Sequence, residues 1–544
     1  MHSFVINGGK PLRGNVRING SKNAALPLMA AALLTTEPVT LHGVPDLSDI
    51  RNMKSLLSSL GLVFHEPQRT AATAPASTAP APAHADAEPQ RGEASGAAKP
   101  DPRYAGLTEL LKDRPGGGTT TAPPPGEDNP NEPTQAVPER SDGADRSPNC
   151  PQSLTIATND PDKTLAHYDI VKTMRAGICV LGPLLAARGE ARVSLPGGCA
   201  IGDRPVDLHL RGLRALGARI ELDEGYIVAK PPVSGRLRGT TLFLGGPNGS
   251  TVLGTANVLC AAVLAEGTTI IESAACEPEI ADLCHLLNKM GARIIGAGTP
   301  RLIIDGVDKL HGAEHHVLPD RIEAGTYVMA AAITGGDVTL SNFPTDTLLA
   351  TTDRLHEMGI TLEQVNDPHK PAVLPRAAAS GNTAGSPGYD AQDHANTALN
   401  RDTVRVITPR NFNAVQVVTQ PHPGFPTDLQ AQLMALMTLA DGNSIVTEKI
   451  FPDRFLHVAE LSRMGADITR VGNSAVVTGT RTLHGAPVMA SDLRASAGLV
   501  IAGLAARGTT TVNRVYHLDR GYQAMETNLQ NLGADIERID DKSS

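Results

Sequence analysis

The sequence predicts an α/β fold of six similar units arranged in two globular halves, and three observations support this prediction. An apolar helical pattern that ends in Leu-Gly or Met-Gly and leads into a β-like stretch occurs six times. Uninterrupted copies follow one another at a spacing of about 70 residues, which indicates an internal repeat. Further helical segments are apolar around much of their circumference, as is typical of buried helices. On the repeat alone, a solenoid of stacked units is the alternative.

Each unit closes on a glycine that follows a helical pattern. A glycine at this position ends the helix because it adopts the left-handed backbone at no steric cost. The six closing glycines are Gly61, Gly217, Gly291, Gly359, Gly465 and Gly533.

Two biased segments interrupt the repeat, at about residues 66–152 and 364–401. The first contains "AATAPASTAPAPAHADAEPQ" and the second "PRAAASGNTAGSPGYDAQDH". Such compositions bury too little apolar surface to offset the entropy of ordering. We predict two disordered inserts, and setting them aside restores the common spacing of the units.

The interior helices are predicted from five apolar segments. A helix that is apolar on most of its faces is buried rather than laid on a surface, so the sheets are expected to wrap around these helices. The segments are "NAALPLMAAALL", "ANVLCAAVLAEG", "AGTYVMAAAITGG", "QAQLMALMTLADG" and "ASAGLVIAGLAARG".

Composition excludes several classes of function. The 544 residues carry a formal net charge of −9 without a run of Lys and Arg, so no nucleic-acid partner is expected. No stretch approaches eighteen apolar residues and the N-terminus lacks a signal-peptide pattern, so we expect a cytoplasmic protein without a membrane partner. Six cysteines without C-x-x-C pairs predict reduced thiols and no zinc site. Walker A and G-x-G-x-x-G motifs are also absent from the sequence.

The stretch "INGSKNAALPLM" combines a helix start with a cation. Ser21 is a suitable N-cap, and Lys22 and Asn23 follow in the first helical turn. The free amide groups and the dipole of such a turn favour an anion, whereas a lysine there is unfavourable for the helix. This predicts an anionic ligand at Lys22, with a solvated surface lysine as the alternative.

The stretch "SLPGGCAIGDRPVDLH" places Cys199 in a glycine turn shortly before Arg204 and Asp207. A thiol near fixed cations has a lowered pKa and exchanges a proton near neutral pH. On spacing alone, a small inert cysteine is the favoured alternative. Cys179, Cys260 and Cys284 lie in apolar helical patterns and fit the inert role better.

Further carboxylates and cations lie together in turns along the chain. Interleaved in this way, they suit an anionic substrate and a proton-accepting base, and they predict a charged cleft between the two halves. These residues are Lys172, Arg175, Asp320, Arg321, Glu323, Asp428, Arg454, Asp492, Arg494, Asp519 and Arg520.

The same stretches carry a family resemblance. "NGSKNAALPLMAAALL", "YDIVKTMRAGICVLGPLLA", "VSLPGGCAIGDRPVDLHLRGLRALGA", "LPDRIEAGT", "HPGFPTDLQAQ", "RFLHVAELSRMGA", "DLRASA" and "YHLDRGY" closely resemble the bacterial UDP-N-acetylglucosamine 1-carboxyvinyltransferases. The resemblance covers essentially all of the chain outside the inserts. It implies a two-domain inside-out α/β barrel of six βαβαββ-type units, with residues 1–21 and 320–544 in one domain and 22–319 in the other, less the inserts.

The resemblance also implies a reaction. The enolpyruvyl group of phosphoenolpyruvate is transferred to the 3′-hydroxyl of UDP-N-acetylglucosamine with release of phosphate, in the first committed step of peptidoglycan precursor synthesis. These two small molecules are the expected partners, no metal or organic cofactor is expected, and fosfomycin is the expected inhibitor.

Site residues follow position by position from the resemblance. Cys199 matches the general acid and Asp428 the residue that deprotonates the sugar hydroxyl. Lys22, Asp492 and Arg520 match further catalytic positions. The residues matched to phosphoenolpyruvate are Lys22, Asn23, Arg204, Arg494 and Arg520. The residues matched to the UDP-sugar are Arg175, Arg204, Pro205, Val206, Asp207, Leu208, Thr251, Val252, Asp428 and Ile450.

Two alternatives stay open. An enolpyruvylshikimate-phosphate synthase would share the fold but use another acceptor, and the cysteine loop "GGCAIGDRPVD" argues against it. A catalytically silent UDP-sugar-binding paralogue is the second alternative. The presence of Lys22, Cys199 and Asp428 argues against that one, because a sensor needs no acid.

Overall fold

A computed structural model of the chain describes residues 2–66, 152–196, 206–247, 249–365 and 401–540. All of these residues belong to one compact unit. Apart from a few residues at their edges, the two predicted inserts lie outside the described residues. The fold is mixed α/β, as the sequence predicts.

The described strands form six four-stranded sheets and one small two-stranded sheet. Each four-stranded sheet contains one parallel pair and two antiparallel pairs. The strands are β1 (His2–Asn7), β2 (Arg13–Arg17), β3 (Val39–Val44), β4 (Leu62–His65), β5 (Gln152–Thr158), β6 (Leu165–Ala166), β7 (Ala191–Ser194), β8 (Arg219–Asp223), β9 (Tyr226–Lys230), β10 (Thr241–Phe243), β11 (Thr268–Glu272), β12 (Arg293–Ile295), β13 (Arg301–Asp305), β14 (Ala313–His316), β15 (Asp337–Pro344), β16 (Thr361–Gln364), β17 (Arg401–Ile407), β18 (Phe412–Asn413), β19 (Gln416–Val418), β20 (Ala440–Asp441), β21 (Asn443–Thr447), β22 (Asp467–Val471), β23 (Ser474–Thr478), β24 (Pro487–Met489), β25 (Thr509–Asn513) and β26 (Asp535–Asp540).

The strand order shows how distant parts of the chain meet. Strand β1 pairs with β25 and β26, so the two ends of the described chain share one sheet. Strand β2 pairs in parallel with β15, far along the sequence. The sheet orders are β14-β3-β5-β4, β6-β7-β9-β8, β10-β11-β13-β12, β16-β17-β15-β2, β19-β21-β23-β22, β24-β25-β1-β26 and, for the small sheet, β18-β20.

The helices alternate with these strands along the chain. Short 3-10 turns extend several of them, and none of the helices in the described residues is long and apolar enough to cross a membrane. The helices are α1 (Lys22–Ala31), α2 (Ser48–Ser59), α3 (Tyr168–Val171), α4 (Leu181–Arg188), α5 (Asp207–Ala215), α6 (Val252–Ala262), α7 (Pro278–Lys289), α8 (Arg321–Ile333), α9 (Leu349–Glu357), α10 (Gln430–Met437), α11 (Leu456–Arg463), α12 (Leu493–Ala505) and α13 (Met525–Asn531).

The predicted helix ends are confirmed at all six closing glycines. Their φ angles lie between 84° and 99°, in the left-handed region that favours glycine. A strand begins within two residues of each of them. The local signal of a C′ glycine therefore marks each helix-to-strand transition correctly.

The five apolar segments form buried helices, as predicted. Every residue of α8 and α10 is buried, and α1 buries all but one of its residues. Residues of these helices form much of two separate hydrophobic cores. One is built from residues between Ala24 and Leu318, and the other from Phe4 to Ile18 together with Ile322 to Ile536. The predicted domain limits stay a prediction.

Candidate active site

Lys22 begins helix α1 but does not point into open solvent. The side chain of Ser21 accepts a hydrogen bond from the amide of Ala24 at 3.4 Å, so the predicted N-cap is confirmed. The Lys22 side chain is only 9% exposed, and its Nζ lies 3.1 Å from Oδ2 of Asp49. A buried lysine needs a partner of opposite charge, and Asp49 supplies it.

Asp49 joins two predicted site residues. It lies in the first turn of α2 with its side chain only 3% exposed, and its Oδ1 accepts from Nε of Arg520 at 3.0 Å. Burial alone would raise the pKa of Asp49, but Lys22 and Arg520 outweigh it and lower that pKa below its usual range. Asp49 thus holds two cations side by side.

Lys22 is poised to bind an anion. Burial is the main cause that lowers its pKa, Asp49 opposes that shift, and the nearby charges of Arg494 and Arg520 add to it. Lys22 therefore lies close to two further cationic side chains, Arg494 and Arg520. An incoming phosphate or carboxylate group would relieve their mutual repulsion, because an opposite charge stabilises each charged form.

Asp428 forms a second charged centre at the start of helix α10. Its Oδ1 accepts from Nη1 of Arg454 at 2.8 Å, and its Oδ2 lies 3.3 Å from Nη2 of Arg494. The carboxylate is 27% exposed, while the two arginine side chains are 6% and 2% exposed. Burial would raise the pKa of Asp428, but Arg494, Arg454 and Lys22 hold it well below its usual range.

Asp492 fixes Arg494 through the backbone. It is the N-cap of α12, and its Oδ1 accepts from the amides of Arg494 at 2.8 Å and Ala495 at 3.2 Å. The guanidinium carbon of Arg494 lies 5.4 Å from the centre of the Tyr522 ring. The cap and the ring therefore fix both ends of the arginine that reaches Asp428.

These two centres form one charged cluster, because Lys22 influences the pKa of Asp428 and Arg494 influences that of Lys22. The structure thus brings together six residues that the sequence predicts for the site, and it adds one, Asp49, which contacts two of them. The charged cluster consists of Lys22, Asp49, Asp428, Arg454, Asp492, Arg494 and Arg520.

Asn23 and three further predicted residues lie at helix starts. Asn23 is half-buried in the first turn of α1. Asp207 and Leu208 open helix α5, directly after Val206, and Asp207 is exposed.

The remaining predicted sugar contacts lie on other elements. Thr251 is the N-cap of α6, where its Oγ1 accepts from the amide of Gly254 at 3.2 Å, and Val252 is the first residue of that helix. Arg175 opens a 3-10 turn at Arg175–Val180. The amide of Ile450 donates to Oε1 of Glu448 at 2.8 Å.

Asn257 connects three of these elements. Its Nδ2 donates to the carbonyl oxygen of Ile178 in the turn that carries Arg175, and lies 2.9 Å from Nδ1 of His209 on α5. Asn257 itself belongs to α6. Burial, followed by the charge of Arg175, lowers the pKa of His209 to about 4, so this contact is made by a neutral imidazole.

Cys199, Arg204 and Pro205 lie outside the described residues, and their roles stay predictions. The four described cysteines show high pKa values for physical reasons. Burial raises the pKa of Cys179 and of Cys284 to about 12 and raises that of Cys260 as well. Burial and the neighbouring Glu277 raise the pKa of Cys276. Cys179, Cys260 and Cys284 are buried, and their inert role stays a prediction.

Comparison with known proteins gives consistent matches. Residues 6–97 and 151–529 match the sequence profile of the family described as EPSP synthase (3-phosphoshikimate 1-carboxyvinyltransferase). A protein of Methylacidiphilum infernorum (isolate V4) named UDP-N-acetylglucosamine 1-carboxyvinyltransferase is 41% identical over 539 residues, 99% of both chains. A protein of the same name from Coxiella burnetii (strain Dugway 5J108-111) is 42% identical over 540 residues, 99% of this chain and 96% of its own.

Two solved structures share the fold. The enolpyruvyl transferase NikO from Streptomyces tendae matches with a TM-score of 0.70 at 21% identity and covers 99% of each chain. An EPSP synthase from Acinetobacter baumannii matches with a TM-score of 0.63 at 15% identity, covering 99% of this chain and 100% of its own. At these identities the two structures indicate the fold alone.

Proposed function

The chain belongs to the EPSP synthase (3-phosphoshikimate 1-carboxyvinyltransferase) family. On that premise we propose that it has the activity for which its relatives are named, that of a UDP-N-acetylglucosamine 1-carboxyvinyltransferase. It moves the enolpyruvyl group of phosphoenolpyruvate to the 3′-hydroxyl of UDP-N-acetylglucosamine and releases phosphate, which begins peptidoglycan precursor synthesis. Relatives of that name at 41% and 42% identity support this acceptor. The observation that carries the proposal is the charged cluster, whose cations and carboxylates suit an anionic substrate and a reacting hydroxyl.

The proposed architecture is the inside-out α/β barrel of six units, with the two predicted domains and a cytoplasmic location. Support comes from the six sheets, which share one arrangement of parallel and antiparallel pairs, and from the two cores, which are built in large part from the apolar helices. The substrates would bind between the halves, where Arg520 of one half reaches Asp49 of the other at 3.0 Å.

Lys22 and Arg520 form the proposed cradle for phosphoenolpyruvate, assisted by Asn23, Arg204 and Arg494. The substrate carries phosphate and carboxylate charges, and charge-assisted hydrogen bonds to it are stronger than neutral ones. Asp49 keeps Lys22 and Arg520 together before the substrate arrives. Their positive charge also stabilises the phosphate as it leaves.

Cys199 and Asp428 are the proposed acid and base of the addition step. The sugar oxygen forms a bond to C2 of phosphoenolpyruvate while the electron pair of the C2=C3 bond takes a proton from Cys199, and the hydroxyl proton passes to Asp428. Phosphate then leaves C2 as C3 returns a proton to the Cys199 thiolate, which restores the double bond, and the proton on Asp428 passes to the released phosphate. A carboxylate with so low a pKa is a weak base toward a free alcohol. It accepts the proton as the new C–O bond makes the hydroxyl acidic.

The proposed sugar contacts are Arg175, Arg204, Pro205, Val206, Asp207, Leu208, Thr251, Val252, Asp428 and Ile450. Of those that the structure describes, Asp428 and Ile450 lie on other elements, and the rest lie on the 3-10 turn, α5 and α6 or directly before these helices. Asn257 supports grouping the latter, because it hydrogen-bonds across these three elements.

The acceptor is tested by measuring phosphate release from phosphoenolpyruvate with each of two acceptors. We expect release with UDP-N-acetylglucosamine and none with shikimate 3-phosphate, because the two acceptors need different binding surfaces. The reaction without an acceptor serves as the control. Activity with shikimate 3-phosphate alone would overturn the proposed function.

A labelling experiment tests Cys199. Fosfomycin should add to this thiol, since a thiolate opens an epoxide to form a C–S bond and the released oxygen takes a proton. At pH 7 the described cysteines should stay unlabelled, because burial raises their pKa values. Peptide mass spectrometry should find the adduct on Cys199, and Cys199→Ser should abolish it. A wild-type chain without an adduct there contradicts the acid assignment.

A further inference from the structure

Glu448 is a buried carboxylate that directly follows strand β21 and has no place in the chemistry described so far. Its side chain is fully buried. Oε1 accepts from Oγ1 of Thr419 at 2.7 Å and from the amides of Ile450 and Phe451 at 2.8 and 3.0 Å. Oε2 accepts from Oγ1 of Thr427 at 2.9 Å. A buried charge is tolerated only when it is paired or fully hydrogen-bonded, and Glu448 meets that condition.

Thr427 connects the Glu448 carboxylate to the charged cluster by hydrogen bonds. Its hydroxyl has one hydrogen, which it donates to Glu448, so the hydroxyl oxygen acts as an acceptor elsewhere. Nη1 of Arg454 donates to that oxygen at 3.0 Å, and the same Nη1 lies 2.8 Å from Oδ1 of Asp428. The donor and the acceptor of each hydrogen bond between Glu448 and Asp428 are therefore fixed: Thr427 donates to Glu448, and Arg454 donates to both Thr427 and Asp428.

Burial and a neighbouring ring also restrict the position of the Arg454 side chain. Its side chain is only 6% exposed, and its guanidinium carbon lies 5.8 Å from the centre of the Phe451 ring. Phe451 is itself held by Glu448 through its backbone amide. Glu448 thus fixes Arg454 from two directions, through the Thr427 hydroxyl and through the loop below the guanidinium.

We propose that Glu448, Thr427 and Arg454 form a hydrogen-bonded relay that positions the Asp428 carboxylate for the acceptor hydroxyl. The proposal rests on the proposed function, in which Asp428 takes the proton of that hydroxyl. Glu448 and Thr427 are positioning residues, since neither touches the reacting atoms. The relay acts on the rate of the chemical step because misplacing a reacting group by about 1 Å can cost about a hundredfold.

Thr427→Val tests the relay, because it removes the hydroxyl and keeps the shape of the side chain. We expect kcat to fall about tenfold to a hundredfold, with little change in the KM for phosphoenolpyruvate, whose cradle lies elsewhere in the charged cluster. Thr427→Ser retains a hydroxyl and should restore kcat close to that of the wild type. A purely structural role for Thr427 would not predict this split between kcat and KM.

Thr419→Val is the matched control. Thr419 is fully buried and donates to the other oxygen of the same carboxylate, but its hydroxyl contacts neither Arg454 nor Asp428 in the hydrogen bonds described above. Oε1 keeps the two amide donors after this change, so kcat should stay near the wild-type value. The thermal unfolding midpoint of both valine variants shows whether they lose similar stability.

The outcomes separate the relay from the proposed function. Loss of kcat in Thr427→Val but not in Thr419→Val, with rescue by Thr427→Ser, supports the relay. Equal losses in both valine variants, or no loss in either, overturn it while leaving the proposed function intact. A wild-type chain that turns over neither acceptor overturns the proposed function and the relay's catalytic role with it.

Discussion

Replacing Asp428 with Asn is expected to lower kcat by about 10²–10⁴-fold, the usual contribution of a positioned general base. The amide keeps the size of the side chain but cannot take the proton of the acceptor hydroxyl. Nη1 of Arg454, now 2.8 Å from Oδ1 of Asp428, would still find an oxygen acceptor, so the local geometry should survive. Steady-state phosphate release with UDP-N-acetylglucosamine measures the effect.

The same substitution should also reduce stability, because Arg454 and Arg494 would keep their charges in a buried site without an anionic partner. Breaking such a pair costs about 3 kcal/mol, which urea unfolding at pH 7 would detect.

The pH dependence of stability should change as well. A carboxyl group whose pKa is lower in the folded chain adds stability above its unfolded pKa of about 3.9. That contribution disappears as the pH falls through the folded value. The variant should therefore lose less stability than the wild type on acidification below about pH 5.

Asp535→Asn is the control for this pair of measurements. Asp535 pairs with Lys10 at 2.9 Å, and both side chains are well exposed, so solvent screens the interaction. Neither kcat nor the free energy of unfolding should change appreciably. If Asp428→Asn behaved like this control, the role of Asp428 as the base would be wrong.

The fold could be predicted from local patterns because the decisive signals are short. A glycine that ends a helix needs a positive φ, and the six glycines chosen from the sequence all have it. Helices that are apolar around much of their circumference are expected to be buried, and α8 and α10 are buried along their full length. Neither signal depends on which distant strands pair, so both can be interpreted without knowledge of the sheet topology.

The site could be predicted only in part, because its charge pairs join residues that are far apart in sequence. Lys22 was recognised as an unusual lysine in a first helical turn, but its partner Asp49 was not. An acidic residue in the first turn of a helix is ordinary, and Arg520 lies 471 positions further along the chain. Nothing in the spacing indicates that these three side chains meet.

Glu448 shows the same limit. In the sequence it is one more charged residue, for which a solvated carboxylate is the ordinary expectation. Its full burial follows from four hydrogen-bond donors, of which Thr419 and Thr427 come from an earlier part of the chain. Tertiary packing, rather than local pattern, makes this residue important for Asp428.

Asp49→Asn is expected to raise the KM for phosphoenolpyruvate about tenfold to a hundredfold, the equivalent of one lost charge-assisted hydrogen bond. The pKa of Lys22 is already lowered, chiefly by burial, and Asp49 is what opposes that shift. Without the Asp49 carboxylate the pKa of Lys22 falls further. As the pH is raised, Lys22 therefore loses its charge earlier than in the wild type. The KM should consequently begin to rise with pH earlier than in the wild type.

The control for Asp49 lies three positions upstream. Asp46 pairs with Arg51, so Asp46→Asn should leave the KM for phosphoenolpyruvate and its pH dependence unchanged. In Asp49→Asn, binding of UDP-N-acetylglucosamine measured by calorimetry should persist, because its proposed contacts lie on other elements. An unchanged KM in Asp49→Asn would mean that Lys22 and Arg520 keep their places without Asp49. The cradle would then depend on the substrate's own charge to assemble.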